Sequence, residues 1–103
     1  MGEPAVDAEG YLIDPEDWSE AWAVRAANAL GIDMNEEHWS AIRFMRAFRD
    51  EHQVSPDVRF VMRHLTDVHG AARNRIFELF PYGYAGQACK IAGMKRPRIW
   101  STG

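Results

Sequence analysis

The stretch 35–52, NEEHWSAIRFMRAFRDEH, predicts a helix with a well-defined start. Asn35 is a residue type that caps helices, because its side chain accepts hydrogen bonds from the first unpaired amides. Two glutamates follow it and favour the positive amino end of a helix. The helix is expected to end at about His52. Its apolar positions, which recur at helical spacing, are Trp39, Ile42, Met45 and Phe48.

The same kinds of signal predict further elements on both sides of this stretch. Upstream, Asp14-Pro15-Glu16-Asp17 combines a cap, a proline and two carboxylates, and predicts a helix from Asp14 to about Leu30, closed by Gly31. Before it, Val6 to Ile13 predict a small hairpin about Glu9-Gly10. Downstream, the predicted elements are a third helix opened by Ser55-Pro56-Asp57, a shorter helix over 71–79, and a last helix over 84–92 closed by Gly93.

These elements predict a mostly α (α+β) fold: a small orthogonal helical bundle with an N-terminal β-hairpin and a flexible C-terminal arm. Trp18 and Trp22 share an apolar face of the first predicted helix, so we expect them in the core. On the second helix, a stripe typical of a solvated face consists of Arg43, Arg46 and Asp50.

Length and composition favour one domain covering residues 1–103, with 94–103 as the arm. The chain has 103 residues, 47% of them hydrophobic, which suffices for one core. The sequence contains no run of about 18 apolar residues that could form a membrane helix. The acidic start, residues 1–9, lacks the basic and apolar regions of a signal peptide. We therefore expect a cytoplasmic protein that makes no membrane contact.

Charge is divided unevenly along the chain. Residues 1–40 contain ten acidic residues and one basic residue, a net charge of −9, whereas residues 41–103 contain five acidic and eleven basic residues, a net charge of +6. Either the two halves attract each other in the fold, or the basic half presents a face to an acidic partner.

Cys89 is the one cysteine of the sequence, which excludes an intramolecular disulfide and a multi-cysteine metal site in this chain. It shares a small apolar face with three alanines of the predicted helix 84–92. It is therefore either a packed small hydrophobe or a nucleophilic thiol. The cations that would favour its thiolate, if the tail folds back, are Lys90, Lys95, Arg96 and Arg98.

Other kinds of site find little support in the sequence. The four histidines lack the spacing of a zinc ligand pair, and no cofactor site is predicted. No phosphate loop, Ser-His-Asp arrangement or acid/base carboxylate pair is identified, so we expect no autonomous catalysis. The tail is either a disordered end or an interaction arm, since Arg96, Arg98 and Trp100 are of types enriched at interface hot spots.

The segment 80–93, FPYGYAGQACKIAG, resembles the segment FPYGPAKQACRIAG of the DsrC/TusE family, the sulfur-relay proteins that include the gamma subunit of dissimilatory sulfite reductase. Further similar pieces occur in the family's order along nearly the whole chain: Asp7-Ala8-Glu9-Gly10-Tyr11-Leu12, Asp17-Trp18, Glu36-Glu37-His38-Trp39 and Ser55-Pro56-Asp57-Val58-Arg59. The resemblance implies a helical bundle with an N-terminal hairpin and a C-terminal arm. It also implies partners that are sulfur-transfer proteins or sulfite-reductase-like complexes.

The chain departs from the family where the family's chemistry resides. In the family, the arm carries a second cysteine that holds sulfur as a persulfide, and its position corresponds to Trp100 here. Tyr84 replaces the usual proline and Gly86 the usual lysine, so the surface beside Cys89 differs. The residues predicted to bind a partner are Tyr84, Lys90, Lys95, Arg96, Arg98 and Trp100.

Three functions are consistent with these features. One is a sulfur-relay accessory protein that binds sulfur-transfer or sulfite-reductase-like partners and holds sulfur on Cys89 only transiently or not at all, with sulfur oxidation, sulfite reduction and tRNA thiolation all open as its pathway. The second is a regulatory paralogue that keeps the docking surface and lacks the carrier thiol. The third, suggested by the basic second half and short capped helices, is a DNA-binding regulator, whose affinity would fall steeply with salt.

Overall fold

Helices form most of the computed structural model, which describes residues 4–95. They are α1 (Glu20–Ala29), α2 (Glu36–His52), α3 (Val58–His69) and α4 (Arg75–Leu79). A 3₁₀ turn, Pro15–Asp17, precedes α1. A π-helical segment, Tyr84–Cys89, follows α4, and residues 84–93 together are called the cysteine segment below. The prediction of a mostly helical fold is therefore confirmed.

α2 begins at the Asn35 cap that the sequence predicts, and His38 adds further hydrogen bonds to that cap. The Asn35 side chain accepts from the backbone amides of Glu37 and His38, at 2.9 and 3.1 Å. The His38 ring closes the cap in return, because its Nδ1 accepts from the Asn35 amide at 3.0 Å. Its Nε2 then donates to the Leu79 carbonyl at 2.9 Å. This buried ring thus ties the amino end of α2 to the end of α4.

The prediction of one continuous helix from Asp14 to Leu30 is wrong. Asp14 caps only the short turn, accepting from the Glu16 amide at 3.0 Å. Trp18 is extended, and Ser19 begins α1 by accepting from the Trp22 amide at 3.1 Å. The expected burial is found, since Trp22 is buried and Trp18 packs half-buried against the core.

The predicted N-terminal hairpin is also wrong, because no strand forms among residues 4–95 and only one antiparallel bridge, Val6 to Leu12, is present. Two backbone bonds form this bridge, from the Asp7 amide to the Tyr11 carbonyl at 2.8 Å and from the Ile13 amide to the Ala5 carbonyl at 3.1 Å, but the Tyr11 amide returns no bond to the Asp7 carbonyl. The Tyr11 amide donates instead to the Asp7 carboxylate, at 3.0 Å, and the Glu9 amide does the same at 2.9 Å. The side chain of Asp7 therefore replaces the pairing that would have extended the ladder.

Two other helix starts differ from the prediction. Asp57 caps α3, accepting from the Arg59 amide at 2.9 Å, whereas the Ser55 hydroxyl donates to the Lys95 carbonyl at 2.6 Å. The fourth helix is shorter than the predicted 71–79 and begins at Arg75.

The core lies between α2, α3 and the cysteine segment. Its fully buried members include Ala41, Ile42, Met45, Val61, Leu65, Ile76, Phe80 and Ile91. Three ion pairs join the acidic first part of the chain to the basic second part, which favours attraction between the halves: Arg43–Glu20, Arg75–Glu37 and Lys95–Asp7. Within the described residues, every helix is too short or too polar to span a bilayer.

We expect the free energy of unfolding to decrease as the pH falls below about 6.5, partly through His38. Burial lowers the pKa of this imidazole in the fold. As the pH falls, His38 is therefore protonated in the unfolded chain before it is protonated in the fold. Its contribution to the free energy of unfolding is fully present above the ordinary histidine pKa and is lost as the pH falls through the lower pKa of the folded state.

Urea unfolding between about pH 7.5 and about pH 5, above the main titration range of carboxylates, measures this effect. His38→Gln should flatten the profile. Burial also lowers the pKa of His64, so His64→Gln serves as the comparison for the remaining slope. Equal slopes for wild type and His38→Gln would contradict the assignment.

Candidate functional site

The cysteine segment places Cys89 inside the protein. The thiol side chain is completely buried, as are its neighbours Ala88, Ile91 and Ala92. The predicted helix over 84–92 is present, but its first part winds as a π-helix, and it closes at Gly93 with φ of +76° as expected. The small apolar face that contains Cys89 is thus packed against the core.

Tyr84 covers the thiol from within the same segment. Its hydroxyl donates to the Pro56 carbonyl at 2.7 Å and also hydrogen bonds with Cys89. Burial, and secondarily the nearby Cys89, raise the pKa of Tyr84, which keeps the phenol protonated. Tyr84 therefore lies against the thiol and connects it with the Pro56 carbonyl ahead of α3.

Side chains from the first half of the chain bind the carbonyls of the segment. The Tyr11 hydroxyl donates to the Ala85 carbonyl at 2.9 Å, and the Trp18 indole N–H donates to the Ile91 carbonyl at 2.8 Å. The last carbonyls of a helix have no partner within the helix, so Trp18 satisfies the Ile91 carbonyl, which would otherwise be buried and unpaired.

Arg46 completes this set, and the prediction that it belongs to a solvated stripe is wrong. Its guanidinium donates to the Ala92 carbonyl at 3.0 Å and to the Pro15 carbonyl at 3.1 Å. It also lies 4.6 Å from the centre of the Trp18 ring, a cation–π contact. Arg43 and Asp50 of the same stripe are exposed, as expected. Burial lowers the pKa of Arg46, although an arginine stays charged at any ordinary pH.

Gly93 allows Trp18 to approach the end of the segment. A Cβ atom built on Gly93 would lie 2.5 Å from Cδ1 of Trp18 and 3.0 Å from Cδ1 of Leu12. The positive φ of Gly93 adds a second reason for glycine at this position. Gly86, by contrast, is exposed and has open space around it.

The predicted cations beside the thiol have other partners. The ammonium of Lys90 lies 5.0 Å from the centre of the Tyr11 ring, and that of Lys95 pairs with Asp7 at 3.6 Å. Tyr84 points its hydroxyl inward, away from a partner surface. The predicted roles of Arg96, Arg98 and Trp100 lie outside the described residues.

Three residues that organise the segment were not identified as site residues from the sequence: Tyr11, Trp18 and Arg46. For Arg46 a signal exists, because it lies four positions after Ile42, on the edge of the apolar face of α2. Nothing in the sequence pattern identifies the carbonyls that Tyr11 and Trp18 reach, since they lie more than 70 residues away.

Comparison with known proteins finds relatives over nearly the whole chain. A family model described as "DsrC like protein" matches residues 2–99. Sulfurtransferase TusE of Sodalis glossinidius is 42% identical over 98 residues, which cover 92% of this chain and 91% of the relative. Sulfurtransferase TusE of Yersinia pestis is 42% identical over 94 residues, covering 88% of this chain and 86% of the relative.

Solved structures agree with this result. The oxidized gamma-subunit of the dissimilatory sulfite reductase (DsrC) from Archaeoglobus fulgidus is similar with a TM-score of 0.79 and 33% identity, covering 91% of this chain and 89% of that one. Allochromatium vinosum DsrC is similar with a TM-score of 0.75 and 35% identity, covering 89% of this chain and 85% of that one.

We expect Gly93→Ala to lower the free energy of unfolding by at least about 2 kcal/mol, because it combines a left-handed backbone with a collision against Trp18. Gly86→Ala is the matched control and should change it by less than about 1 kcal/mol, since its space is open. Urea unfolding of both variants makes the comparison. Equal stability of the two would contradict the close approach described here.

We expect Tyr84→Phe to increase the rate at which Cys89 is alkylated by about tenfold, because the cover over the thiol loses two hydrogen bonds. Tyr82→Phe is the control, as that ring is 84% exposed. The rates are measured with a maleimide under native conditions and compared with global stability. An unchanged rate in Tyr84→Phe would show that the hydroxyl does not protect the thiol.

Proposed function

The chain belongs to the DsrC family, and we propose that it is a docking or regulatory member. In this proposal it binds sulfur-transfer or sulfite-reductase-type partners and does not carry sulfur on Cys89 in its closed fold. We also propose a cytoplasmic location, because the cytoplasm is a reducing compartment in which a free thiol such as that of Cys89 stays reduced.

The complete burial of Cys89 is the observation that carries this proposal. A relay cysteine acts as a thiolate that attacks the outer sulfur of a donor persulfide, which forms a new persulfide and releases the donor thiolate. Here Tyr84 covers the thiol, and the core surrounds the sulfur. The sequence also has no second cysteine with which a loaded sulfur could form a trisulfide.

Docking would use the arm, residues 94–103, and the surface where it leaves the domain. Lys95 begins this surface and is exposed, with its backbone carbonyl bound by Ser55. Arg96, Arg98 and Trp100 then supply residue types enriched at interface hot spots. Lys90 is half-buried on Tyr11 and contributes charge beside the cysteine segment.

A second candidate function is transient sulfur carriage on Cys89. The π-helical winding of the cysteine segment favours it, because π turns recur at functional sites and are easily rearranged. In this candidate, a partner would open the Tyr84 cover before sulfur is transferred.

Intact-protein mass spectrometry after incubation with a cysteine desulfurase and cysteine separates the two candidates. We expect no mass gain for the wild-type chain. A gain of one sulfur atom that reverses with reductant and is absent in Cys89→Ser would contradict the proposal and establish the carrier function. The Tyr84→Phe variant tests whether opening the cover alone permits loading.

Competition measures docking directly. A fluorescent Archaeoglobus fulgidus DsrC is bound to the sulfite reductase of which it is the gamma-subunit, and this chain is added. We expect displacement by the full chain and at least about tenfold weaker displacement by a chain truncated after Gly93. No displacement by the full chain would contradict docking on a reductase of this type.

A further inference from the structure

An open groove lies on the outer side of α3, away from any residue assigned to the sulfur chemistry above. Its volume is about 600 Å³. The groove is lined by residues of α3 and by Arg73 of the connection to α4: Arg59, Phe60, Met62, Arg63, Thr66, Asp67 and Arg73. Arg59 and Arg63 are one helical turn apart and therefore project on the same side of α3.

Positive charge in this groove is only partly neutralised. Arg59 pairs with Asp57 at 3.0 Å. Arg63 and Arg73 are exposed and have no ion-pair partner among residues 4–95, although Asp67 lies in the same groove. Arg43 and Arg75 also lie in the second half of the chain, and both form ion pairs with carboxylates of the first half. The groove thus presents two guanidinium groups that the fold itself does not use.

An apolar surface adjoins these charges. Phe60 is 50% exposed at the edge of the groove, and Met62 is half-buried in it. The Phe60 ring lies 5.3 Å from that of Phe48 on α2, which in turn lies 6.2 Å from Phe44. Phe60 is therefore the end of a row of tilted rings between α2 and α3. Aromatic and arginine side chains together are typical of protein interfaces.

We propose that this groove binds an acidic segment of a partner protein whose apolar side chains pack on Phe60 and Met62 while its carboxylates bind Arg63 and Arg73. Charge complementarity selects this occupant. The tail of the chain itself, residues 96–103, contains two arginines and no acidic residue, so it would be repelled. Phe60 and Met62 beside the arginines favour an occupant with apolar side chains, which a nucleic-acid backbone does not offer. The proposal does not depend on the proposed function.

Selection from a random peptide library displayed on phage, against the immobilised full chain, tests the proposal. We expect enriched peptides that combine Asp or Glu with apolar residues. A synthetic copy of an enriched peptide should bind at least about tenfold more weakly to Arg63→Glu than to wild type. Arg25→Glu makes the same charge change at an exposed arginine outside the groove and should bind normally. Phe60→Ser, with Val24→Ser as its control, isolates the apolar contribution.

Three results would overturn the proposal. The first is no enrichment of acidic peptides, or binding that Arg63→Glu leaves unchanged while the variant is folded by circular dichroism. The second is tighter binding of a random-sequence DNA or RNA duplex than of the acidic peptide, lost in Arg63→Glu, which would make the occupant a nucleic acid. The third is a dimer in sedimentation experiments that Arg63→Glu dissociates, which would make it a second copy of this chain.

Discussion

The carbonyl groups at the end of the cysteine segment must find donors inside a closed core, and this requirement organises the structure. Trp18 and Arg46 supply those donors, to Ile91 and Ala92, from two separate parts of the chain. Arg46 also binds the Pro15 carbonyl, so one guanidinium joins the approach to α1, the centre of α2 and the end of the cysteine segment. A buried carbonyl left without a donor costs about 1–3 kcal/mol, which makes each of these contacts large on the scale of total stability. Gly93 is required because only a residue without a side chain leaves space for Trp18.

The packing that closes the core around the cysteine segment also limits the chemistry of the Cys89 thiol. The bundle is held together around Cys89, and Tyr84 uses its hydroxyl to connect the thiol with the approach to α3 at Pro56. A protein of the DsrC family with this arrangement keeps the family fold while its cysteine is a packed core residue. Among residues 4–95, the arginine groove on α3 is a surface that remains open for recognition. A binding role follows more directly from these features than a chemical one does.

Local signals in the sequence predicted those parts of the fold that depend on neighbouring residues. The Asn35 cap, the extent of α2 and the glycine end at Gly93 were predicted, since each depends on residues within one helical turn. The break at Ser19 and the loss of the hairpin were missed, because competing side-chain bonds from Ser19 and Asp7 are equally local and the pattern does not rank them. Cys89 was identified, but its burial could not be decided, because one small apolar face suits both a packed cysteine and a nucleophile. The role of Arg46 depends on carbonyls that are distant in sequence, and no periodicity encodes them.

Amide hydrogen exchange of the wild-type chain, compared with its free energy of global unfolding, tests the closure most directly. The informative amides are those of Ala92 and Met94, which donate to the carbonyls of Ala88 and Cys89 at 2.9 and 3.0 Å. If the cysteine segment is held shut by Tyr11, Trp18 and Arg46, these amides exchange only when the whole protein unfolds, and their opening free energy equals the global value. Exchange through a local opening of clearly lower free energy, while the amides of α2 remain protected, would show that the segment opens independently and would contradict the account of a sealed thiol.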